Sequence, residues 1–158
     1  MSINIFINQS QISTLDLSPV KMIIEDLEKR QEILSLEQQL IFNLDYPREE
    51  NDPREISEIP EVRLWFIALD SCYPWLPFCL NWREGELARY TAMLVPHQFN
   101  RSEGIQYNQE ALDIFVMQKT FILHSWLTQN NITGNSRLKA MAQIFGYDLD
   151  DSFFSLLN

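Results

Sequence analysis

The chain has 158 residues, 46% of them hydrophobic and 22% charged, with a formal net charge of −10. Its size suits one domain around one core, and its apolar share argues against a disordered chain. The acidic balance leaves no basic stripe to displace counterions from a phosphate backbone. The longest apolar run, Leu64 to Leu69, falls far short of the roughly 20 residues of a membrane-spanning helix, so neither nucleic-acid binding nor membrane insertion is expected.

The opening MSINIFINQSQ has neither the basic head and small-residue cleavage site of a secretory signal nor the arginines of a transit peptide. A cytosolic chain carrying its native start is expected. Ile3, Ile5 and Ile7 alternate with Asn4, Phe6 and Asn8, which predicts a half-buried strand. Ser18-Pro19 then opens a helix with Ser18 as its cap. Val20, Ile23, Ile24 and Leu27 form its apolar face, and it ends near Arg30. Leu40, Phe42 and Leu44 alternate again in a second strand that stops at Tyr46-Pro47.

Asp45 to Glu61 holds 7 acidic and 2 basic residues and three prolines, and predicts a stiff, exposed acidic loop. After Pro60, Val62, Trp65, Phe66 and Leu69 fall at helical spacing, although a strand would group Val62, Leu64 and Phe66. Leu76, Phe78, Leu80 and Trp82 alternate as a third strand, which Pro77 confines to an edge. Leu87, Tyr90, Met93 and Leu94 predict a helix ending before Pro96. A long helix follows the Asn108 cap to about Gln129, lined by Leu112, Phe115, Val116, Ile122, Leu123, Trp126 and Leu127. Another carries Leu138, Met141, Ala142 and Phe145 to a left-handed Gly146, and Asp150 or Asp151 caps a last turn. The expectation is an α+β domain over residues 1–158: a small antiparallel sheet of about three strands covered by helices, with a helical C-terminal half.

No nucleophile elbow, P-loop, dinucleotide fingerprint or metalloprotease helix is present. Cys72 and Cys79 lack zinc or cluster spacing and predict two small buried thiols. His124 sits on the flank of its helix. His97, in VPHQF, is either a satisfied structural histidine or a ring presented to a partner. Glu84 and Glu86 flank Gly85 at a helix start, where acids suit the dipole. Asp148, Asp150 and Asp151 are wrongly spaced for a calcium loop. No catalytic residue, metal ligand or cofactor is assigned.

Charge is uneven: residues 1–60 hold 5 basic and 12 acidic groups, residues 61–158 hold 7 and 10. An electropositive partner would be steered to the N-terminal part, although solubility accounts for the excess equally well. Arg48 and Arg54, in YPRE and DPRE, either staple the acidic loop or reach a partner's carboxylate. Trp65 and Trp126 fit helix core faces. Trp75 and Trp82 lie where prolines and charges interrupt the pattern, as interface anchors do. The candidate partner-contact residues are Arg48, Arg54, Tyr73, Trp75, Trp82, Arg89, His97 and Gln98.

The words LDYPRE, NDPREISEIPEVRLWFI, YPWLPF, GELARY and AMLVPHQF, in this order, resemble the chlororespiratory reduction 6 family of cyanobacteria and plastids. The resemblance continues through EGIQYN and EALDIFVMQK to RLKAMAQIFGYDLDDSFF. It implies a non-enzymatic maturation factor for the photosynthetic NAD(P)H dehydrogenase-like complex. The implied partner is the I subunit, a peripheral-arm protein with two 4Fe–4S clusters, met in the cyanobacterial cytosol or the stroma. With no transit peptide, the cyanobacterial form is expected. The competing expectations are an enzyme or an iron or iron–sulfur carrier acting on the same subunit, the carrier using Cys72 and Cys79 with or without His97, and a permanent subunit of the complex.

Overall fold

The structure, a computed structural model, describes residues 2–33 and 39–157. Two compact units divide the chain after Asn108. The first begins with β1 (Ser2–Asn8), which buries Ile5 and Ile7 and turns Asn4, Phe6 and Asn8 outward, as the alternation predicts. The turn after it is a short helix, α1 (Gln9–Ser13), that the hydrophobic pattern did not reveal. It is nucleated by a reciprocal cap: Gln11 N–H donates to Asn8 Oδ1 at 2.9 Å, and Asn8 N–H donates to Gln11 Oε1 at 2.9 Å.

α2 (Ser18–Lys29) buries Val20, Ile24 and Leu27 and ends one residue before Arg30. Ser18 is not its cap. Pro19 already occupies the first turn, and the Ser18 N–H is taken by Asp16 Oδ1 at 3.0 Å, so the helix starts at Ser18 itself.

β2 (Gln39–Asp45) pairs with β1 in parallel, Ile5 opposite Phe42 and Ile7 opposite Leu44. The predicted antiparallel arrangement is therefore wrong. Two successive strands separated by a helix run the same way because the crossover returns the chain to the end from which it started. The third strand is absent too. Leu76–Cys79 and Trp82–Glu84 are 3₁₀ turns, and only Leu80 bridges Leu40, where Asn81 N–H donates to Leu40 O at 2.9 Å. Pro77 fixes the first turn, and burial is continuous from Leu76 to Asn81 rather than alternating.

α3 (Pro60–Cys72) settles the ambiguity after Pro60 in favour of a helix. Val62, Trp65, Phe66 and Leu69 are buried while Leu64 and Ile67 are exposed. Trp65 is fully buried, and its indole N–H is satisfied by Asp16 O at 2.9 Å. The acidic loop before it is exposed only in its first part; Ser57 and Ile59 are buried. α4 (Glu86–Leu94) follows, then a hairpin missed in the sequence, β3 (His97–Asn100) with β4 (Gly104–Tyr107), antiparallel.

The second unit is helical. α5 (Gln109–Gln129) starts directly after Asn108 and buries Leu112, Val116, Leu123 and Leu127. Ile122 is exposed and Trp126 only half-buried, so neither is the core residue expected. α6 (Asn135–Ile144) is followed by Gly146 at φ +90°, the left-handed stop the sequence predicts. α7 (Asp151–Leu157) is capped by Asp150, whose Oδ1 accepts from Phe153 N–H at 2.9 Å. The fold class, α+β with a helical C-terminal half, is as expected. Its strands form two separate pairs instead of one sheet.

Candidate partner-docking site

The eight candidate residues fall in four places within the first unit. Arg48 and Arg54 are stapled to their own loop. Arg48 Nη1 donates to Arg54 O, and Arg54 forks onto Asp52 through Nε at 3.0 Å and Nη2 at 2.8 Å. The Arg54 guanidinium holds the Asp52 carboxyl down at about 2.

Tyr73 and Trp75, after α3, pack edge to face with ring centroids 5.7 Å apart, both half-buried against the core. Proline on either side of Trp75's turn, Pro74 and Pro77, limits the backbone there, so this pair is a shaped aromatic surface. Trp82 faces inward more than an anchor would. Its indole N–H donates to Pro77 O at 2.8 Å and its ring lies 6.2 Å from Phe78.

His97 is held on both nitrogens, with Nδ1 3.0 Å from Val95 O and Nε2 2.9 Å from Ser57 Oγ. A carbonyl only accepts, so Nδ1 carries a proton and the imidazole fastens β3 to the turn before α3. Gln98 is exposed beside it, opposite Gln106.

Arg89 belongs to a site that the sequence reading missed. Gly85, at φ +78°, turns the chain from the 3₁₀ turn into α4, and no Cβ is present to strain that left-handed step. Glu86 is the first residue of α4 and shares a face with Tyr90 and Met93, at i, i+4 and i+7. Its carboxylate is therefore swung into the protein, where it is only 3% exposed.

It lines a pocket of about 200 Å³ whose walls are Phe42, Phe66, Tyr90 and Met93. The aromatic walls brace one another: Phe42 and Phe66 are 5.3 Å apart edge-on, and Phe66 and Tyr90 5.8 Å. Tyr90 is fixed in turn by donating its hydroxyl to Asp70 Oδ1 at 2.9 Å. Half-buried Leu44 and Ile56 complete the lining.

The carboxylate is poorly satisfied. Oε2 accepts one long hydrogen bond, 3.4 Å, from Phe42 N–H. Oε1 has an ion pair with Arg89 Nη2 at 2.6 Å and no hydrogen bond among the described residues. Burial pushes the carboxyl above its ordinary range, against the opposing pull of Arg89. Arg89 itself is 53% exposed on its side chain and also donates to Glu84 O at 2.7 Å. The signal for this site was present in the sequence: Glu86 lies on the Tyr90–Met93 stripe of its helix, where an acid is out of place.

The cysteines do not match their predicted pairing of buried thiols. Cys79 is buried, but Cys72 lies on the exposed side of the last turn of α3, next to exposed Ser71. Among the described residues no group of three or more His, Cys, Asp or Glu side chains could hold a metal ion. No helix among them is long and apolar enough to cross a membrane.

Compared with known protein families, the chain matches the model of one, chlororespiratory reduction 6, over residues 7–156. No solved structure matches it.

Proposed function

The chain belongs to the chlororespiratory reduction 6 family, whose members serve assembly of the NAD(P)H dehydrogenase-like complex, and from that premise we propose that it is a non-enzymatic factor that transiently binds the complex's I subunit. The match over residues 7–156 carries this reading. It spans both compact units, and the aromatic surface and the pocket both lie inside the matched residues, in the first unit.

The local chemistry supports a docking protein more than a catalyst. The imidazole of His97 has both nitrogens engaged, and the one buried carboxylate of α4 faces an apolar pocket. An immature cluster-binding subunit exposes apolar surface before it meets its neighbours. A proline-limited aromatic pair such as Tyr73–Trp75 covers such surface with little ordering entropy to lose. The acidic balance of −10 keeps the factor soluble and steers an electropositive partner towards it.

Immobilised chain should retain purified I subunit, and Tyr73→Ala with Trp75→Ala should weaken retention by about tenfold or more, the scale of an aromatic hot spot. Failure to retain the subunit at micromolar concentration would overturn the proposal. Retention indifferent to the double substitution would move the docking face elsewhere.

A further inference from the structure

A carboxylate buried in an apolar wall is costly unless donors surround it, and Glu86 has few. Its pocket, about 200 Å³, is smaller than the roughly 300–1,000 Å³ of small-molecule and cofactor sites. That volume is on the scale of one side chain. The walls are apolar and aromatic, and the one charged group wholly buried among them is an acceptor held only by a long hydrogen bond and by the half-exposed Arg89. An occupant therefore needs an apolar stem and a donor-rich, positively charged head.

The surroundings favour the same charge. Ile56 brings to the pocket the segment Asp45–Glu61, which has 7 acidic and 2 basic residues. Both of those arginines are engaged inside the segment, Arg48 on Arg54 O and Arg54 on Asp52. Arg89, more than half exposed, is the one cation at the pocket among the lining residues, and its exposed guanidinium can exchange Oε1 for solvent at little cost.

We propose that this pocket is a receptor for a lysine or arginine side chain on a basic segment of the partner protein, with the stem lying against Phe42, Phe66, Tyr90 and Met93 and the head replacing Arg89 on the Glu86 carboxylate. This deepens the docking reading given above and rests on it for the identity of the partner, but the chemistry can be tested apart from it.

The direct test is NMR titration of the full chain with N-acetyl-arginine methylamide and N-acetyl-lysine methylamide, using the uncharged N-acetyl-citrulline methylamide as control. The cationic probes should shift amide signals of Phe42, Leu44 and Tyr90, and the citrulline probe should not. Glu86→Gln should weaken the cationic probes by about tenfold, the scale of a charge-assisted hydrogen bond. Arg89→Ala, which removes the resident competitor at the surface, should strengthen them by about two- to fivefold. Equal shifts with citrulline, no shifts at the pocket, or loss of binding in Arg89→Ala would each overturn the proposal, the last because it would make Arg89 part of the receptor and not the group displaced from it. Should Glu86→Gln fail to fold, the Arg89→Ala result decides by itself. Probes that bind as described while the I subunit is not retained would break the partner assignment and leave the pocket standing.

Discussion

His97 Nε2 and Ser57 Oγ, 40 residues apart in sequence, lie 2.9 Å from each other and join the β3–β4 hairpin to the turn that precedes α3. Ser57 is buried and cannot trade this contact for water. Each of His97→Ala and Ser57→Ala should cost about 1–3 kcal/mol, and the two together less than their sum by about 1 kcal/mol. A double-mutant cycle in urea measures the coupling. Strict additivity would show that the imidazole does not hold the hairpin and would return it to the surface as a free contact residue.

Thr91 is completely buried on α4, and its hydroxyl finds no hydrogen-bond partner among the described residues. Replacing it with valine keeps the branched shape and removes the stranded polar group. Thr91→Val should raise stability by about 1 kcal/mol, visible as a higher melting temperature. A lower one would mean that the hydroxyl is satisfied.

Two tyrosines set the alkaline limit. Burial pushes Tyr107 from the ordinary 10.0 up to about 12, and it pushes Tyr90, which donates to Asp70, well above 10.0. The folded chain therefore keeps protons that the unfolded chain releases, and stability falls as pH rises from about 10 through 12. Tyr107 donates to Ala88 O at 2.8 Å, so Tyr107→Phe should lower stability at pH 7 and flatten the decline above pH 10. An unchanged alkaline slope in urea titrations would contradict the assignment.

Glu86 follows the same sign at acid pH. Burial raises its carboxyl above the ordinary 4.5, with Glu84 adding to the shift and Arg89 and the Phe42 N–H opposing it. The group's contribution is then fully present below 4.5 and lost as pH rises through the folded value. Glu86→Gln should accordingly be more stable than the parent at pH 7, with the difference shrinking towards pH 4. A substitution that stabilises the fold while weakening cationic probes would mark Glu86 as kept for binding. A variant less stable at pH 7 than at pH 4, relative to the parent, would make Glu86 a structural residue.

How much of this was legible in the sequence follows from the range of the forces involved. Local signals read well: the isoleucine alternation of β1, the apolar stripe of α5 through Leu112, Val116 and Leu123, and the glycine stop at Gly146. The parallel pairing of β1 with β2 is a long-range choice, imposed by the crossover through α2, and alternation within each strand does not encode it. At Leu76–Leu80 every residue is buried, so a proline-fixed 3₁₀ turn mimicked a strand's apolar content. For the arginines of the acidic loop the sequence left a staple and a partner contact both open, and the bonds formed are those of a staple. Glu86 was passed over because an acid at a helix start has a ready explanation in the dipole. Only its phase with Tyr90 and Met93 shows that it points inward.

The most direct measurement of the account is the affinity of the purified chain for the purified I subunit in three states: without clusters, with clusters, and built into the finished complex. A transient maturation factor should bind an unassembled form at micromolar concentration or tighter and release it on incorporation, leaving no detectable binding to the complete complex. Equal affinity for the free subunit and the finished complex, or no affinity for any of the three, would contradict it.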